Sequence, residues 1–395
     1  MKDFLIISDI HCSADPLGAH NGTSYVSSKI SDGDINHPFA GIRKALTGHS
    51  VDAVLCPGDI TDKAEPDTLI YAWGALAQLS RDLNAELIAC SGNHDLDSRH
   101  KHNADPAGLI MALRPRLPLH DRTAYLEYWA EKFTLSRRSD TSLLIVNTAA
   151  FHGGGPNQAA ELEHGRISDH TLDKIRSALA ETNLGSFGVL LCHHHLVRNN
   201  EVREVDYSEA IGGQALLEII ESTGKPWLVV HGHKHRPRVM YAQGGSGSPI
   251  ILSAASFSAN VRRDALNHAP NQMHLVSVDP GAASAMNLDL VGKVRSWNWL
   301  PNIGWKPAIN PAGLPHESGF GARSAKSQII SDLKKLAVSH NGNVIKRAEI
   351  LTRVPLLDYL LPQDLERVIE DLESDAEIAL ARNEVGLLAE IGAVT

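Results

Sequence analysis

Leu87-Ile88-Ala89-Cys90-Ser91-Gly92-Asn93-His94-Asp95 runs an apolar segment straight into a polar cluster, and the same transition recurs along the chain. Asp9 and His11 follow the apolar run 4–8, Gly58-Asp59 follows 53–56, His193-His194-His195 follows 189–192, and Gly232-His233-Lys234-His235 follows 227–230. Apolar runs this short read as strands buried on both faces. The five clusters are therefore expected to converge on one edge of one sheet, where their carboxylates and imidazoles could ligate two metal ions. A mixed oxygen and nitrogen donor set suits Zn, Mn or Fe, whereas an all-oxygen set would suit Mg or Ca. Residues two apart on an extended segment share a face, so Asp9 with His11, and His233 with His235, are each expected to reach one ion.

Working outward, strand-like and helical patterns alternate up to about residue 279, which is α/β layering. Helices are expected over 41–46, 69–83, 168–181 and 213–222, and further strands over 142–147, 249–253 and 273–278, with the later strands building a second sheet. Two stretches break the alternation, 13–39 after Asp9/His11 and 96–140 after the Gly92 cluster, so both should lie near the site. The second holds Arg99, His100, Lys101, His102, Arg114, Arg116, His120 and Arg122 against few acids. These cations form either a solvated basic face or a hold on substrate phosphate, since binding groups concentrate on loops carried by a rigid scaffold.

The 395 residues exceed the usual single-domain size, and 43% hydrophobic with 21% charged content is that of an ordinary folded protein. A net charge of −9, from 37 basic and 46 acidic side chains, disfavours DNA or an anionic membrane as partner and leaves nucleic acid as the less expected one. A small phosphoester substrate is favoured. Met1-Lys2-Asp3 leads directly into the first strand without the apolar stretch of a signal peptide, and no later run would span a bilayer, so a cytoplasmic location is expected. Cys12, Cys56, Cys90 and Cys192 fit no Cys-x-x-Cys zinc pattern, and the last three fall in strand runs, where cysteine acts as a small hydrophobe. Cys12, beside His11, is the one expected to be exposed to oxidation or to support the site.

From 300 to 323, Pro301, Pro307, Pro311 and Pro315 alternate with Gly304, Gly313, Gly319 and Gly321, which reads as a linker between a catalytic domain over 1–299 and a module over 324–395. Trp297, Trp299 and Trp305 beside it are candidate contact surfaces. Helices over 324–339, 345–354 and 363–372, a turn at 341–343 and a hairpin of 377–382 and 386–391 give the module a winged-helix order. Its third helix carries Asp364, Glu366, Glu370 and Asp371 against Arg367 alone, so protein contact or self-association is expected rather than entry into a DNA groove.

Asp9-Ile10-His11, Gly58-Asp59-Ile60-Thr61-Asp62, Gly92-Asn93-His94-Asp95, His193 and Gly232-His233-Lys234-His235 resemble the motifs of the calcineurin-like metallophosphoesterases, over about residues 1–280. The resemblance implies a two-sheet αββα sandwich, α/β in class, and two divalent transition metal ions, with no organic cofactor. It assigns Asp9, His11 and His235 to one ion, Asn93, His193 and His233 to the other, and Asp59 to both. Among three consecutive histidines the family ligand is the first after the strand, hence His193. His195-Leu196 departs from the proline usual there. His94, oriented by Asp95, is implied to protonate the leaving oxygen or stabilise transition-state charge, with Asp62 in support. Gly165-Arg166-Ile167-Ser168 and the His-His step resemble more narrowly the bacterial cyclic-nucleotide and glycerophosphodiester phosphodiesterases. The expected activity is hydrolysis of a small phosphodiester such as a cyclic nucleotide. The alternatives are an SbcD-like nuclease and a metal-stabilised scaffold whose site is vestigial.

Overall fold

The computed structural model of the chain describes residues 2–17, 19, 22–31, 33–34, 36–154, 164–198, 208–242, 245, 247–260, 269–309, 313–323, 326–340 and 343–394. It opens with β1 (Lys2–Ile6), α1 (Ile42–Ala45), β2 (Ala53–Cys56), α2 (Pro66–Asp82) and β3 (Glu86–Ala89). The 96–140 interruption contains α3 (Gly108–Met111), α4 (Arg122–Glu131) and β4 (Phe133–Arg138), and β5 (Thr141–Val146) follows it. Next come α5 (Asp169–Glu181), β6 (Phe187–Leu191), α6 (Gly213–Ser222), β7 (Trp227–His231), β8 (Arg238–Tyr241), β9 (Ile250–Ser253) and β10 (Gln272–Val278). After α7 (Pro280–Ala285), β11 (Gly292–Leu300), β12 (Gly304–Pro307) and β13 (Glu317–Phe320) complete the larger unit.

These strands form two sheets rather than one. The first runs β12-β11-β10-β1-β2-β3, with β13 also on β11, and β1, β2 and β3 are parallel. The second runs β4-β5-β6-β7-β9-β8, parallel at its centre with antiparallel edges. Alternation sorts the second sheet's side chains. Leu143, Ile145, Val189, Leu191, Leu228 and Val230 join Leu5, Val54 and Ile88 of the first sheet in the central core. Leu144, Val146, Leu190, Cys192 and Val229 instead face Leu172, Ile175, Leu216 and Ile220 of α5 and α6. Burial on both faces is why these runs are apolar throughout. On the outer face of the first sheet, α2 starts on Pro66, whose missing N–H costs nothing at a helix start. It buries Leu69, Ala72, Trp73 and Leu76 at helical spacing. The result is helix, sheet, sheet, helix.

Two expectations are corrected here. The five clusters converge from two sheets, because β1, β2 and β3 lie in one and β6 and β7 in the other. The 300–323 stretch is not simply a linker: β12 and β13 pair with β11 in the first sheet, and Gly304 supplies a left-handed turn (φ 89°) in the β11–β12 hairpin. Proline and glycine mark that turn and the strand ends rather than a free tether. Trp297, Trp299 and Trp305 are consequently core residues, the last two with ring centroids 5.4 Å apart.

The C-terminal module contains α8 (Lys326–Ser339), β14 (Ile345–Lys346), α9 (Arg347–Arg353), a 3-10 turn at Pro355–Tyr359, α10 (Pro362–Glu373), β15 (Ile378–Arg382) and β16 (Leu388–Ala393). Its strands pair in the order β14-β16-β15 around a core of Leu333, Ile350, Val368, Leu372 and Ile391. The expected 345–354 helix starts two residues later, because Ile345 and Lys346 pair with β16. Part of the expected 341–343 turn, residues 341–342, lies outside the described residues. The module is seated on the larger unit: Asp358 accepts from Lys293 of β11 as well as from Arg347 (2.7 Å), and the amide of Ala322 donates to Tyr359 O (3.0 Å).

Candidate metal centre

Each cluster sits just past the carboxyl end of its strand, where the backbone turns out of the ladder. Asp9, His11, Asp59, His233 and His235 all have positive φ, between 47° and 76°. Non-glycine residues enter this region at a cost, and such strain gathers where a site requires it. The face-sharing expectation is corrected accordingly: Asp9 with His11, and His233 with His235, are aimed by left-handed turns, not by the pleat of an extended strand.

The turns are held from behind. Asp9 Oδ1 accepts the amide of His233 at 2.9 Å, its Oδ2 accepts the hydroxyl of Ser8, and its carbonyl accepts Ser256 Oγ at 2.7 Å. Asp59 Oδ1 accepts the amide of His94 at 2.8 Å, which leaves Oδ2 for the site. His193 Nδ1 donates to Pro57 O at 2.8 Å, so its Nε2 presents a lone pair.

The freed atoms fall into two groups that share Asp59. His11 Nε2 lies 3.2 Å from His235 Nε2 and 3.3 Å from Asp59 Oδ2, and His235 Nε2 lies 3.3 Å from Asp9 Oδ1. On the other side His193 Nε2 lies 3.3 Å from the same Asp59 Oδ2 and 3.0 Å from Asn93 Oδ1, which is 3.2 Å from His233 Nδ1. Ligands about 2.1 Å from an ion are about 3.0 Å apart in an octahedron and about 3.4 Å apart in a tetrahedron. The donor separations match those edges. Carboxylate, amide and imidazole donors at these separations fit a metal centre. Asp9, His11 and His235 form one set able to hold an ion, and Asp9, Asp59 and His193 another.

Electrostatics agree. Burial pushes the His11 imidazole down to about 3, keeping it neutral as a ligand must be. Burial opposes charge on Asp59 too, but His193, His94 and His11 hold it well below the usual carboxylate range. Burial likewise opposes a proton on His193, yet Asp59 and Asp9 raise it to about 9. Two buried carboxylates thus draw positive charge to this point, as a proton or as a metal ion.

His94 stands beside the first group, its ring centroid 4.6 Å from that of His11 and its side chain a third exposed. The expected orienting residue is corrected. His94 Nδ1 is held by Asp62 Oδ1 at 2.9 Å, and Asp62, despite burial, is lowered to about 2 by that contact. Asp95 points away and accepts the amides of Ile60 (2.7 Å), Thr61 (3.1 Å) and Gly92 (2.8 Å), tying together the loops that carry Asp59 and Asn93. Burial and then the Asp59 charge push Asp95 up to about 7, against those donors.

The sequence did not single out Thr148, whose hydroxyl lies 2.9 Å from His194 Nδ1 and leaves His194 beside His193 and His233 as a third possible donor. No local signal marks it, since 46 residues separate the pair. Cys12 is corrected: it is fully buried, and burial raises its thiol to about 12. His152 stacks on His194 with ring centroids 5.4 Å apart.

A two-sheet α/β protein with Asp, Asn and His donors gathered at the strand ends is, as a class, a candidate metallohydrolase. Residues 2–248 match the family model described as calcineurin-like phosphoesterase, and residues 318–374 match one described as wHTH-Calcineurin_assc. The chain belongs to the calcineurin-like phosphoesterase family. Among solved structures it is similar to a putative 5'-nucleotidase from Staphylococcus aureus, with 13% identity over 70% of this chain and 50% of that one and a TM-score of 0.39. It is also similar to an NAD nucleotidase from Haemophilus influenzae, with 11% identity over 95% of this chain and 56% of that one and a TM-score of 0.33. A protein-tyrosine phosphatase from a Shewanella species gives 14%, over 74% and 77%, with a TM-score of 0.29. The chain spans about half the length of the two nucleotidases. No curated protein matched the chain. No helix among the described residues is long and apolar enough to cross a membrane.

Proposed function

We propose that the protein is a dinuclear-metal phosphodiesterase acting on a small phosphodiester such as a cyclic nucleotide. The observation that carries two ions is Asp59 Oδ2, placed 3.3 Å from both His11 Nε2 and His193 Nε2. Asp9, His11 and His235 would hold one ion, Asn93, His193 and His233 the other, with Asp59 between them; Mn, Fe or Zn suits this donor set. Bound ions supply Lewis-acid polarisation of the phosphoryl oxygens and an activated water at neutral pH. The chain's own contribution is His94, which donates a proton or hydrogen bond to the leaving oxygen while Asp62 fixes its ring and favours its charged form. The diester reading rests on the narrower resemblance, whose two features are in contact: a Cβ at Gly165 would meet the His194 ring Cγ at 2.5 Å.

Four free, buried cysteines support a cytoplasmic location. We assign catalysis to 1–299 and protein contact or self-association to 324–395; nucleic acid is disfavoured because Glu366 and Glu373 of α10 line a helix whose neighbour Arg382 they already neutralise. The test is hydrolysis of bis(p-nitrophenyl) phosphate, cyclic nucleotides and linear DNA by the Mn-loaded protein, with Asp59→Asn alongside. Turnover of the diesters, lost together with bound metal in the variant, is expected. Undiminished turnover by Asp59→Asn would sink the two-ion mechanism, and cleavage of DNA alone would favour the nuclease.

A further inference from the structure

Past His94 the floor of the site continues into a cleft of about 190 Å³ lined by Asn93, His94, Lys63, Ser98, Arg99 and Lys101. The loop that walls it is built, not slack. Asp97 is buried and spends both carboxylate oxygens on its own loop, Oδ1 on the amide of Lys101 (2.9 Å) and Oδ2 on those of His102 (2.5 Å) and Asn103 (2.8 Å). His100 anchors the loop's outer edge, its Nε2 3.0 Å from Gly153 O and its Nδ1 3.2 Å from Ala104 O. Gly153, at φ 81°, has no room for a side chain, since a Cβ would meet Ser98 Cα at 2.9 Å.

The cleft presents three cations, Arg99 and Lys101 on this fold-back and Lys63 after β2, and they are not equivalent. Lys63 lies 3.5 Å from Asp62, and Lys101 lies 3.8 Å from Glu65, so each has a carboxylate beside it. Arg99 is exposed, and none of the described residues pairs with it. The one acid within the cleft wall, Asp97, is occupied by amides. An unmatched guanidinium, five donors in a fixed fork, is the group that suits a phosphate. It lines the same cleft as His94, to which the phosphodiesterase reading assigns the leaving oxygen.

We propose that this cleft is a second anion subsite, with Arg99 as its anchor, and that the substrate is a phosphoester carrying a further phosphate on its leaving-group side. The proposal rests on the phosphodiesterase reading for the position of the first phosphate. Arg99 is thereby a specificity-determining residue, and Asp97 positions it through the loop.

Calorimetry on the full-length Mn-loaded protein tests this independently of turnover, with adenosine 5'-monophosphate and adenosine 3',5'-bisphosphate as probes that differ by one phosphate. The bisphosphate is expected to bind about tenfold more tightly, the size of a charge-assisted bidentate contact, and Arg99→Gln should shrink the gap to less than about threefold. Arg116→Gln, a cation of the same insertion set over the Tyr125 ring, should keep the full gap. Equal affinities in the unaltered protein, or a full gap in Arg99→Gln, overturn the subsite. Absence of bis(p-nitrophenyl) phosphate turnover is a separate result and counts against the activity, not against the subsite.

Discussion

Gly92 packs so closely on Asp59 that a Cβ at position 92 would sit 2.1 Å from Asp59 Oδ1 and 2.4 Å from its amide nitrogen. The glycine therefore makes room for the carboxylate that faces both ligand groups. Gly92→Ala must displace Asp59 or the loop after β3. We expect the variant to retain less than about half of the metal bound by the unaltered protein and to lose activity in parallel. Metal analysis after gel filtration checks it, and full occupancy with normal turnover would show that Asp59 is not between the ions.

The exchange of Asp62 for Asp95 as the partner of His94 separates two otherwise similar aspartates. Asp62→Asn should lower kcat by about tenfold to a hundredfold, the usual cost of losing a residue that orients a functional imidazole, while KM and metal content hold. Asp95→Ala strips a partner from three buried amides and should instead cost about 3 kcal/mol or more in urea denaturation. Similar kinetic and stability profiles for the two variants would contradict the geometry.

Cys12, Cys56, Cys90 and Cys192 are all free and buried, and burial raises every one of their thiols. A thiol reagent at pH 8 should label none of them in the folded protein and all of them after denaturation, because the thiolate is the reactive form. Rapid labelling of Cys12 in the native state would restore it as an oxidation-sensitive group.

Arg382 is clamped by Glu366 (2.8 and 2.9 Å) and Glu373 (3.0 Å), so the β15 cation beside α10 is not free for phosphate. Duplex DNA should leave the fluorescence anisotropy of a labelled protein unchanged at physiological salt. Binding whose affinity fell steeply with salt would identify a phosphate-contacting surface that the charges of α10 do not predict.

Much of the centre is legible in the sequence because each ligand pair is local. Strand, glycine and polar cluster are neighbours in the chain, and β2 and α6 fall on the residues their patterns predict. The clusters are thus legible in the sequence, the choice of Asp9, His11, Asp59, Asn93, His193, His233 and His235 within them is what the family resemblance implies, and the structure places their donor atoms close together. The strand β4 was not legible: its second half, Ser136, Arg137 and Arg138, is polar on both faces of an edge strand and reads as part of an insertion. The 300–323 stretch failed for a related reason, since the turn residues that separate β11, β12 and β13 carry the same composition as a tether.

By itself the sequence determined the layered class, the donor types and the acidic character of α10, all of which depend on periodicity, residue chemistry and short spacing. Only the tertiary structure decided which groups meet. His11 and His235 are 224 residues apart, and Ser256 reaches Asp9 across 247. Local pattern carries no information about such contacts, because sheet pairing and the twist of two packed sheets set them. The same packing turned Asp62 toward His94 and Asp95 into the loops, buried the tryptophans, and left Arg99 without a partner among the described residues at the cleft.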